Sequence, residues 1–339
     1  MAAPAFDQRW PWIGPDLQTL RDTLWPDPLP ADTGIPLAVD LPEGGKLLVV
    51  SDLPVASGPL RGFVLLVHGL AGDSGRPGVR RLALLLQQAG LGVWRLNLRG
   101  AGPGRPLAQG TYAAACSVDL WPVLAAARRA AAGLPLLGVG LSLGGTVLLN
   151  ALQEDSAALD GLACVSSPLD LEASALQIER PRNRLYASWL LRRLIAQTLA
   201  DPMGLSADER VRLEGPARPQ SIRAFDAAIT APRWGYGDVN HYYASASPGP
   251  RLLAPGLRPP ILLVHALDDP WVPAAAAQAV AVAPSSAVQV LLSPRGGHNG
   301  FHAREPFPQV SLHWGEGPPG PAASWADWRV LEWLLTWTA

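Results

Sequence analysis

The stretch Leu134-Pro-Leu-Leu-Gly-Val-Gly-Leu-Ser-Leu-Gly-Gly-Thr-Val-Leu-Leu-Asn150 decides how this chain is interpreted. Its first half is an apolar run typical of a buried strand, and its last residues have the pattern of a helix. Between them lies Gly140-Leu-Ser-Leu-Gly144. A strand, a Gly-x-Ser-x-Gly turn and a helix form a nucleophile elbow, which exposes the serine hydroxyl on a sharp turn. The pattern therefore predicts Ser142 as a nucleophile, with flanking glycines that let strand and helix approach closely.

Two other interpretations of the same residues stay open at this point. Gly138-x-Gly140-x-x-x-Gly144 could cradle a dinucleotide phosphate, although residue 143 is Leu and the spacing is not Gly-x-Gly-x-x-Gly. The unit also lies in the middle of the chain, whereas a dinucleotide fingerprint usually belongs to the first βαβ unit. The third interpretation is a glycine-rich turn with an ordinary serine.

Composition limits the class of protein. The 339 residues suffice for one large α/β domain or two small ones, and 48% hydrophobic residues suit a large buried core. A net charge of −1 provides no field that would attract nucleic acid. Cys116 and Cys164 are the two cysteines, so a disulfide framework is excluded and both are expected to be buried thiols. Without a signal-peptide pattern or a long apolar run, we expect a cytoplasmic protein with no transmembrane segment.

Strand and helix patterns alternate along most of the chain, which predicts an α/β protein with a mostly parallel, doubly wound sheet. The predicted strands are residues 37–41, 46–50, 62–69, 91–98, 134–141, 161–166, 260–267 and 287–292. The predicted helices are residues 16–24, 79–89, 112–132, 143–153, 185–199, 207–213, 274–283 and 325–336.

The alternation is interrupted between residues 170 and 255, where helical patterns and turns occur without a clear strand. This segment is expected to be an insertion on one rim of the sheet, a lid. Residues 1–34, rich in Trp and Pro, are expected to form an arm that wraps the main domain. The predicted organisation is an N-terminal arm (1–34) and one α/β domain (35–339) that carries the lid.

A serine hydroxyl needs a base within hydrogen-bond reach, and the base needs an orienting carboxylate. On this fold the expected chain order is serine, acid, histidine. Asp268-Asp-Pro-Trp-Val-Pro273 follows a predicted strand, and its Asp-x-x-Val-Pro pattern favours Asp269 over Asp268. His298 lies on a glycine-flanked loop after the last predicted strand and is the expected base. The alternatives are aspartates that only shape a turn and a surface-loop histidine.

The oxyanion of an acyl-transfer intermediate needs two backbone N–H donors. One should follow the nucleophile, which names Leu143, and the other should come from the loop after Val67-His-Gly, which names Leu70. His68 is expected to hold that loop and not to move protons. The remaining histidines fit less well: His265 lies in a predicted strand, and His241, His302 and His313 lie in segments predicted to be irregular.

Taken together, these residues resemble the α/β-hydrolase superfamily and, within it, the YheT-like hydrolases. The landmarks are Asp16-Leu-Gln-Thr-Leu20, His68-Gly69, Asn97-Leu-Arg-Gly100, Gly140-Leu-Ser-Leu-Gly-Gly145, Ser167-Pro-Leu-Asp170, Phe225-Asp226, Thr230-Ala-Pro232, Tyr242-Tyr243, Asp268-Asp-Pro270 and Gly296-Gly-His-Asn-Gly-Phe301. The resemblance implies a triad of Ser142, Asp269 and His298. It also implies esterase- or lipase-like activity on an acyl lipid or small ester, with no metal and no organic cofactor, and it allows transient contact with a membrane surface.

Fold and triad do not define the substrate. A thioesterase or an amidase would use the same residues, and a lipid- or small-molecule-binding hydrolase fold without turnover is a further alternative. Residues 225–232 and Tyr242-Tyr243 either line an acyl pocket or pack in the ordinary way.

Overall fold

The computed structural model describes residues 6–54, 59–216, 218–254, 259–283, 287–304 and 324–338. Within these ranges, eight strands form one sheet in the order β1-β2-β4-β3-β5-β6-β7-β8. The strands are β1 (Ile35–Asp40), β2 (Lys46–Asp52), β3 (Gly62–Val67), β4 (Leu91–Leu96), β5 (Leu136–Leu141), β6 (Gly161–Val165), β7 (Ile261–Ala266) and β8 (Val288–Ser293). The pairs β1–β2 and β2–β4 are antiparallel, and all other neighbours are parallel.

Helices cover both faces of the sheet and surround one of its rims. They are α1 (Pro15–Leu24), α2 (Pro77–Gln88), α3 (Ser117–Ala131), α4 (Leu143–Glu154), α5 (Leu171–Ile178), α6 (Arg184–Leu199), α7 (Ala207–Glu214), α8 (Ile222–Phe225), α9 (Ala231–Arg233), α10 (Val239–Ala246), α11 (Gly249–Leu253), α12 (Ala275–Val282) and α13 (Trp325–Leu335). Short 3₁₀ turns occupy Gly102–Leu107 and Pro181–Asn183, and Asp226–Thr230 is π-helical.

Two apolar cores flank the sheet, as a parallel sheet requires. One core packs α2 and α13 against the strands, and the other packs α3, α4 and α12 against the opposite face. The central strands β3, β4 and β7 are buried along their whole length. The predicted α/β-hydrolase fold with a mostly parallel, doubly wound sheet is confirmed.

The start of one predicted helix and one histidine assignment were wrong. The helix expected over residues 112–132 begins only at Ser117, and Cys116 lies just before it. Tertiary partners hold the preceding backbone: the Ala114 N–H donates to the Tyr242 hydroxyl, and the Ala114 carbonyl accepts from the Asn150 amide. His241 is not in an irregular segment but in α10, near the helix start that Asp238 caps. His313 lies outside the described residues.

Between β6 and β7, the helices α5 to α11 form the helical insertion, defined here as residues 171–253. The insertion supplies most of a separate apolar cluster, to which Leu190 and Leu194 of α6, Ile222 and Phe225 of α8, and Ile229 contribute. The helices predicted over residues 185–199 and 207–213 correspond to α6 and α7. That the insertion acts as a lid stays a prediction.

The N-terminal segment, residues 6–34, lies against the loop after β8. Gln18 of α1 accepts a hydrogen bond from the His302 N–H and donates one to the His302 carbonyl. Gln8 forms a bridge with Ala303. The division of the chain into an arm and a domain stays a prediction. Among the described residues, no helix is both long and apolar enough to cross a bilayer.

Candidate active site

Ser142 sits on a strained turn between β5 and α4. Its backbone angles are φ 51° and ψ −126°, a conformation that non-glycine residues rarely adopt and that costs energy. The turn needs two of its glycines for space. A Cβ on Gly140 would lie 2.2 Å from the Gly145 nitrogen, and a Cβ on Gly144 would lie 2.3 Å from the Val67 carbonyl oxygen. The sequence therefore folds into the elbow geometry that was predicted from it.

Three predicted side chains meet at this turn. His298 Nε2 lies 2.9 Å from Ser142 Oγ, and His298 Nδ1 lies 2.9 Å from Asp269 Oδ2. All three residues are buried, with exposed fractions of 8% for Ser142 and 5% for His298 and Asp269. Both contacts have hydrogen-bond length. The arrangement can pass a proton from the hydroxyl to an imidazole whose far side is held by a carboxylate.

The carboxylate of Asp269 is anchored on both oxygens. Oδ1 accepts from the backbone N–H groups of Trp271 and Val272, at 2.8 and 3.0 Å, while Oδ2 faces His298. Burial acts to raise the pKa of Asp269, but the charge and hydrogen bond of His298 outweigh it and keep the pKa below its ordinary value. Asp269 is therefore held as a carboxylate against the imidazole.

Asp268 points elsewhere. Its Oδ1 accepts from the Gly297 N–H at 2.9 Å, which ties the β7 end to the loop that carries His298. Burial raises the pKa of Asp268. Of the two neighbouring aspartates, Asp269 thus contacts the imidazole of His298, whereas Asp268 is bonded to the backbone of Gly297.

Two contacts position His298, and the sequence patterns suggested neither of them. The backbone N–H of His298 donates to the Thr19 hydroxyl of α1 at 2.9 Å. The indole of Trp271 stacks on the imidazole, with ring centroids 4.5 Å apart and an interplanar angle of 25°. Gly297, at φ 60°, is needed because a Cβ there would lie 2.4 Å from the Pro15 carbonyl oxygen. The landmark Leu17-Gln-Thr-Leu20 singled out the segment that contains Thr19, but it did not indicate that Thr19 contacts His298.

The two expected oxyanion donors border the same pocket as Ser142. Leu70 lies in the loop after β3 and Leu143 is the first residue of α4. Neither backbone N–H has a hydrogen-bond partner within the described ranges. Both N–H groups are therefore available to an oxygen that enters the pocket.

His68 and Tyr112 hold the Leu70 loop. Buried His68 contacts the Gly69 carbonyl through Nδ1 at 2.8 Å and accepts from the Leu98 N–H through Nε2 at 3.2 Å. Burial lowers the pKa of His68, so the ring is kept neutral. The Ala71 N–H donates to the Tyr112 hydroxyl at 2.7 Å. These contacts agree with the structural role expected for His68.

A pocket with a cavity volume of about 110 Å³ leads from Ser142 into the helical insertion. Its walls are mostly apolar and come from Leu70, Leu143, Leu171, Ala175, Ile178, Leu190, Leu194, Ile222, Phe225 and Val272. Thr230, Tyr242 and Tyr243 also line it, and the two tyrosines pack in the core as well as facing the pocket. Such a cavity with few polar groups is typical of a small-molecule site.

One acid is buried in the wall of this pocket. Asp226, in the π-helical segment, accepts from the Thr230 hydroxyl at 2.6 Å and from the Tyr243 hydroxyl at 2.8 Å. Burial raises the pKa of Asp226 to about 6. The first interpretation of this segment, an acyl-pocket lining, did not foresee a buried carboxyl group there.

Ser142 also borders a second pocket, which is more open. His298, Leu70 and Trp271 are shared between the two, and the second pocket continues past Arg76 and Trp189. The reacting hydroxyl thus lies between an apolar cavity under the insertion and a charged opening beside α2.

A mostly parallel sheet with this elbow and this Ser–His–Asp arrangement defines the class of α/β hydrolases. The family model described as "Serine aminopeptidase, S33" matches residues 58–305, and the chain belongs to this α/β-hydrolase family. YheT of Escherichia coli (strain K12) is 29% identical over 306 residues, which cover 88% of this chain and 84% of that protein. The predicted resemblance to the YheT-like hydrolases is confirmed.

Other relatives extend the comparison. Phospholipase ABHD3 of Mus musculus is 30% identical over 243 residues, covering 71% of this chain. The chain spans 58% of the length of that relative. The crystal structure of a soluble variant of monoglyceride lipase from Saccharomyces cerevisiae, in complex with a substrate analog, has a TM-score of 0.56 and 18% identity. It covers 92% of this chain and 99% of its own, and it shows likeness of fold.

Proposed function

We propose that the chain is a serine hydrolase that cleaves carboxylic esters through an acyl-enzyme on Ser142. The observation that carries this proposal is the pair of 2.9 Å contacts from Asp269 through His298 to the Ser142 hydroxyl, on a strained elbow. The names phospholipase ABHD3 and esterase YheT among its relatives support ester bonds as the target.

The mechanism follows from the positions of these groups. His298 Nε2 takes the proton from Ser142 Oγ, which attacks the carbonyl carbon of the ester. The carboxylate of Asp269 orients the imidazole and stabilises its protonated form. Backbone N–H groups of Leu70 and Leu143 bind the oxyanion. His298 then gives its proton to the leaving alkoxide, and a water molecule, activated by the same imidazole, releases the acyl group.

The apolar pocket is the proposed acyl site. Leu190 and Leu194 of α6 and Phe225 of α8 offer apolar surface to a hydrocarbon chain, with a gain of about 0.8 kcal/mol for each buried CH₂. We propose that the helical insertion covers this chain as a lid. The substrate class is then a small ester or an acyl lipid, presented from solution or by brief contact with a membrane surface.

A fluorophosphonate probe and a panel of p-nitrophenyl esters of increasing acyl length test the proposal. Ser142→Ala should lose probe labelling and ester turnover, at least about 10⁴-fold. Ser156→Ala, an exposed serine after α4, is the matched control and should keep both. Absence of labelling in the wild type, or labelling that survives Ser142→Ala, refutes the proposal. Faster turnover of amides or thioesters than of matched esters would move the activity to the corresponding class.

A further inference from the structure

Two arginines converge beside the loop that carries the Leu70 oxyanion donor. Arg76 Nη2 and Arg193 Nε both donate to the carbonyl oxygen of Ala71, at 3.2 and 3.1 Å. Arg76 precedes α2 and borders the same pocket as Ser142, whereas Arg193 comes from α6 of the helical insertion. One neutral carbonyl is thus shared by two cationic groups next to the site.

The positive charge of this pair is incompletely matched. Asp73 Oδ2 lies 3.5 Å from Arg76 Nε. Across the ranges that the structure describes, no carboxylate oxygen lies within 4.0 Å of Arg193, and its two terminal nitrogens have no hydrogen-bond partner. Burial and the neighbouring charge of Arg76 lower the pKa of Arg193. The cluster therefore has spare donors and spare positive charge.

The indole of Trp189 holds the two guanidinium groups in place. The Arg193 guanidinium carbon lies 5.1 Å from the centre of this ring, and that of Arg76 lies 5.8 Å away. A guanidinium over an aromatic face keeps its planar fork of donors ordered. Trp189 also borders the pocket that contains Ser142, with 37% of its surface exposed.

The other charges at this pocket are already paired. Arg81 donates to Asp327 at 2.7 Å and to Asp22 at 2.6 Å, and Asp22 accepts a further bond from Arg21 at 3.1 Å. These carboxylates are engaged with arginines and do not neutralise the Arg76–Arg193 pair. Arg76 and Trp189 line this pocket, and Arg193 contacts both the Trp189 ring and the same Ala71 carbonyl as Arg76, so an anion beside Arg76 would meet unmatched positive charge.

We propose that Arg76, Arg193 and Trp189 form a subsite that binds an anionic group, a carboxylate or a phosphate, on the alcohol part of the ester. This inference rests on the proposed esterase function. The acyl pocket on the other side of Ser142 is mostly apolar and has a buried carboxyl group, Asp226, so it disfavours an anion. Guanidinium groups bind carboxylate and phosphate oxygens through charge-assisted hydrogen bonds.

Matched ester pairs test the subsite. The first pair is the butyryl ester of 4-hydroxybenzoate and that of its methyl ester, and the second is 1-butyrylglycerol 3-phosphate and 1-butyrylglycerol. The measured quantity is the ratio of kcat/KM for the anionic ester to that for the neutral one. Intrinsic reactivity differences cancel when this ratio is compared between wild type and variants. The two pairs separate carboxylate from phosphate recognition.

The ratio should fall about tenfold from wild type to the Arg76→Gln/Arg193→Gln double variant, which corresponds to about 1.4 kcal/mol. Arg193→Gln alone should lower it by about the square root of that factor, and Arg193→Lys, which keeps the charge but not the planar fork of donors, should give a ratio between those of Arg193→Gln and the wild type. The wild-type ratio should also fall with added salt, because the site is partly exposed. Arg192→Gln, an exposed neighbour on α6, is the matched control and should leave the ratio unchanged.

The outcomes are distinguishable. A fall in turnover by the same factor for charged and neutral esters would mean that the arginines only position the Ala71 loop, and this result overturns the subsite while the esterase function stands. An unchanged ratio in the double variant also overturns it. Mono-4-nitrophenyl glutarate carries its charge on the acyl part. If the double variant lowered kcat/KM for this ester as much as for the esters with an anionic alcohol part, the subsite would not lie on the alcohol side. Absence of turnover with every ester would refute the proposed function itself.

Discussion

Replacement of Asp269 by asparagine should remove most of the activity while it preserves the shape of the site. Oδ1 of Asp269 accepts two backbone N–H bonds, from Trp271 and Val272. An asparagine must keep its carbonyl oxygen there, because an NH₂ group cannot accept a hydrogen bond. Its NH₂ group then faces His298 Nδ1, which has to accept. The neutral imidazole consequently carries its proton on Nε2 and cannot take one from Ser142.

The expected size of the effect follows from this change of tautomer. In chymotrypsin-type proteases the same substitution lowers kcat by about 10⁴-fold for the same reason. We expect a loss of about 10³- to 10⁴-fold here, which corresponds to roughly 4 to 5 kcal/mol of transition-state stabilisation. The assay is hydrolysis of p-nitrophenyl butyrate, with the rate of fluorophosphonate labelling as a second readout of the Ser142 nucleophile.

Asp268→Asn is the matched control, one residue away. Asp268 Oδ1 accepts from the Gly297 N–H, and an asparagine carbonyl oxygen can do the same. Its turnover should therefore stay within about tenfold of the wild type, or about 1.4 kcal/mol. Thermal unfolding of both variants checks that each is folded. A large loss in Asp268→Asn together with near-normal turnover in Asp269→Asn would refute the reasoning.

Two further perturbations concern stability. Gly140→Ala should lower the free energy of unfolding by at least about 1 to 3 kcal/mol, because its Cβ would lie 2.2 Å from the Gly145 backbone. Gly237→Ala is the control, since its Cβ would meet open space and the change should be near neutral. Equal melting temperatures of the two variants would contradict the elbow packing. Burial raises the pKa of Asp226 from 3.8 to about 6, so the contribution of this carboxyl group to the free energy of unfolding is fully present below about pH 4 and is lost as pH rises through 6. The difference between the melting temperatures of Asp226→Asn and the wild type should therefore shift in favour of the variant as pH rises from 4 to 7. A constant difference across that range would show that the carboxyl group is not buried in this way.

Local patterns sufficed for much of the fold, because their signals are contained in a few consecutive residues. The apolar runs of β3 and β7 and the glycines around Ser142 define strand, turn and helix where they occur. The start of α3 was missed because the backbone before it bonds to Tyr242 and Asn150, which are distant in the chain. Propensity cannot reveal such partners, since they exist only after the chain has folded.

The sequence by itself determined the strand–elbow–helix unit, the order of serine, acid and histidine, and the residue types of the site. Only the tertiary structure decided which atoms meet. It turned Asp269 and not Asp268 toward His298, brought Thr19 of α1 under the same histidine, and joined Arg76 to Arg193 at one carbonyl. The physical reason is that hydrogen bonds depend on distances of about 3 Å between groups that the chain does not order next to each other.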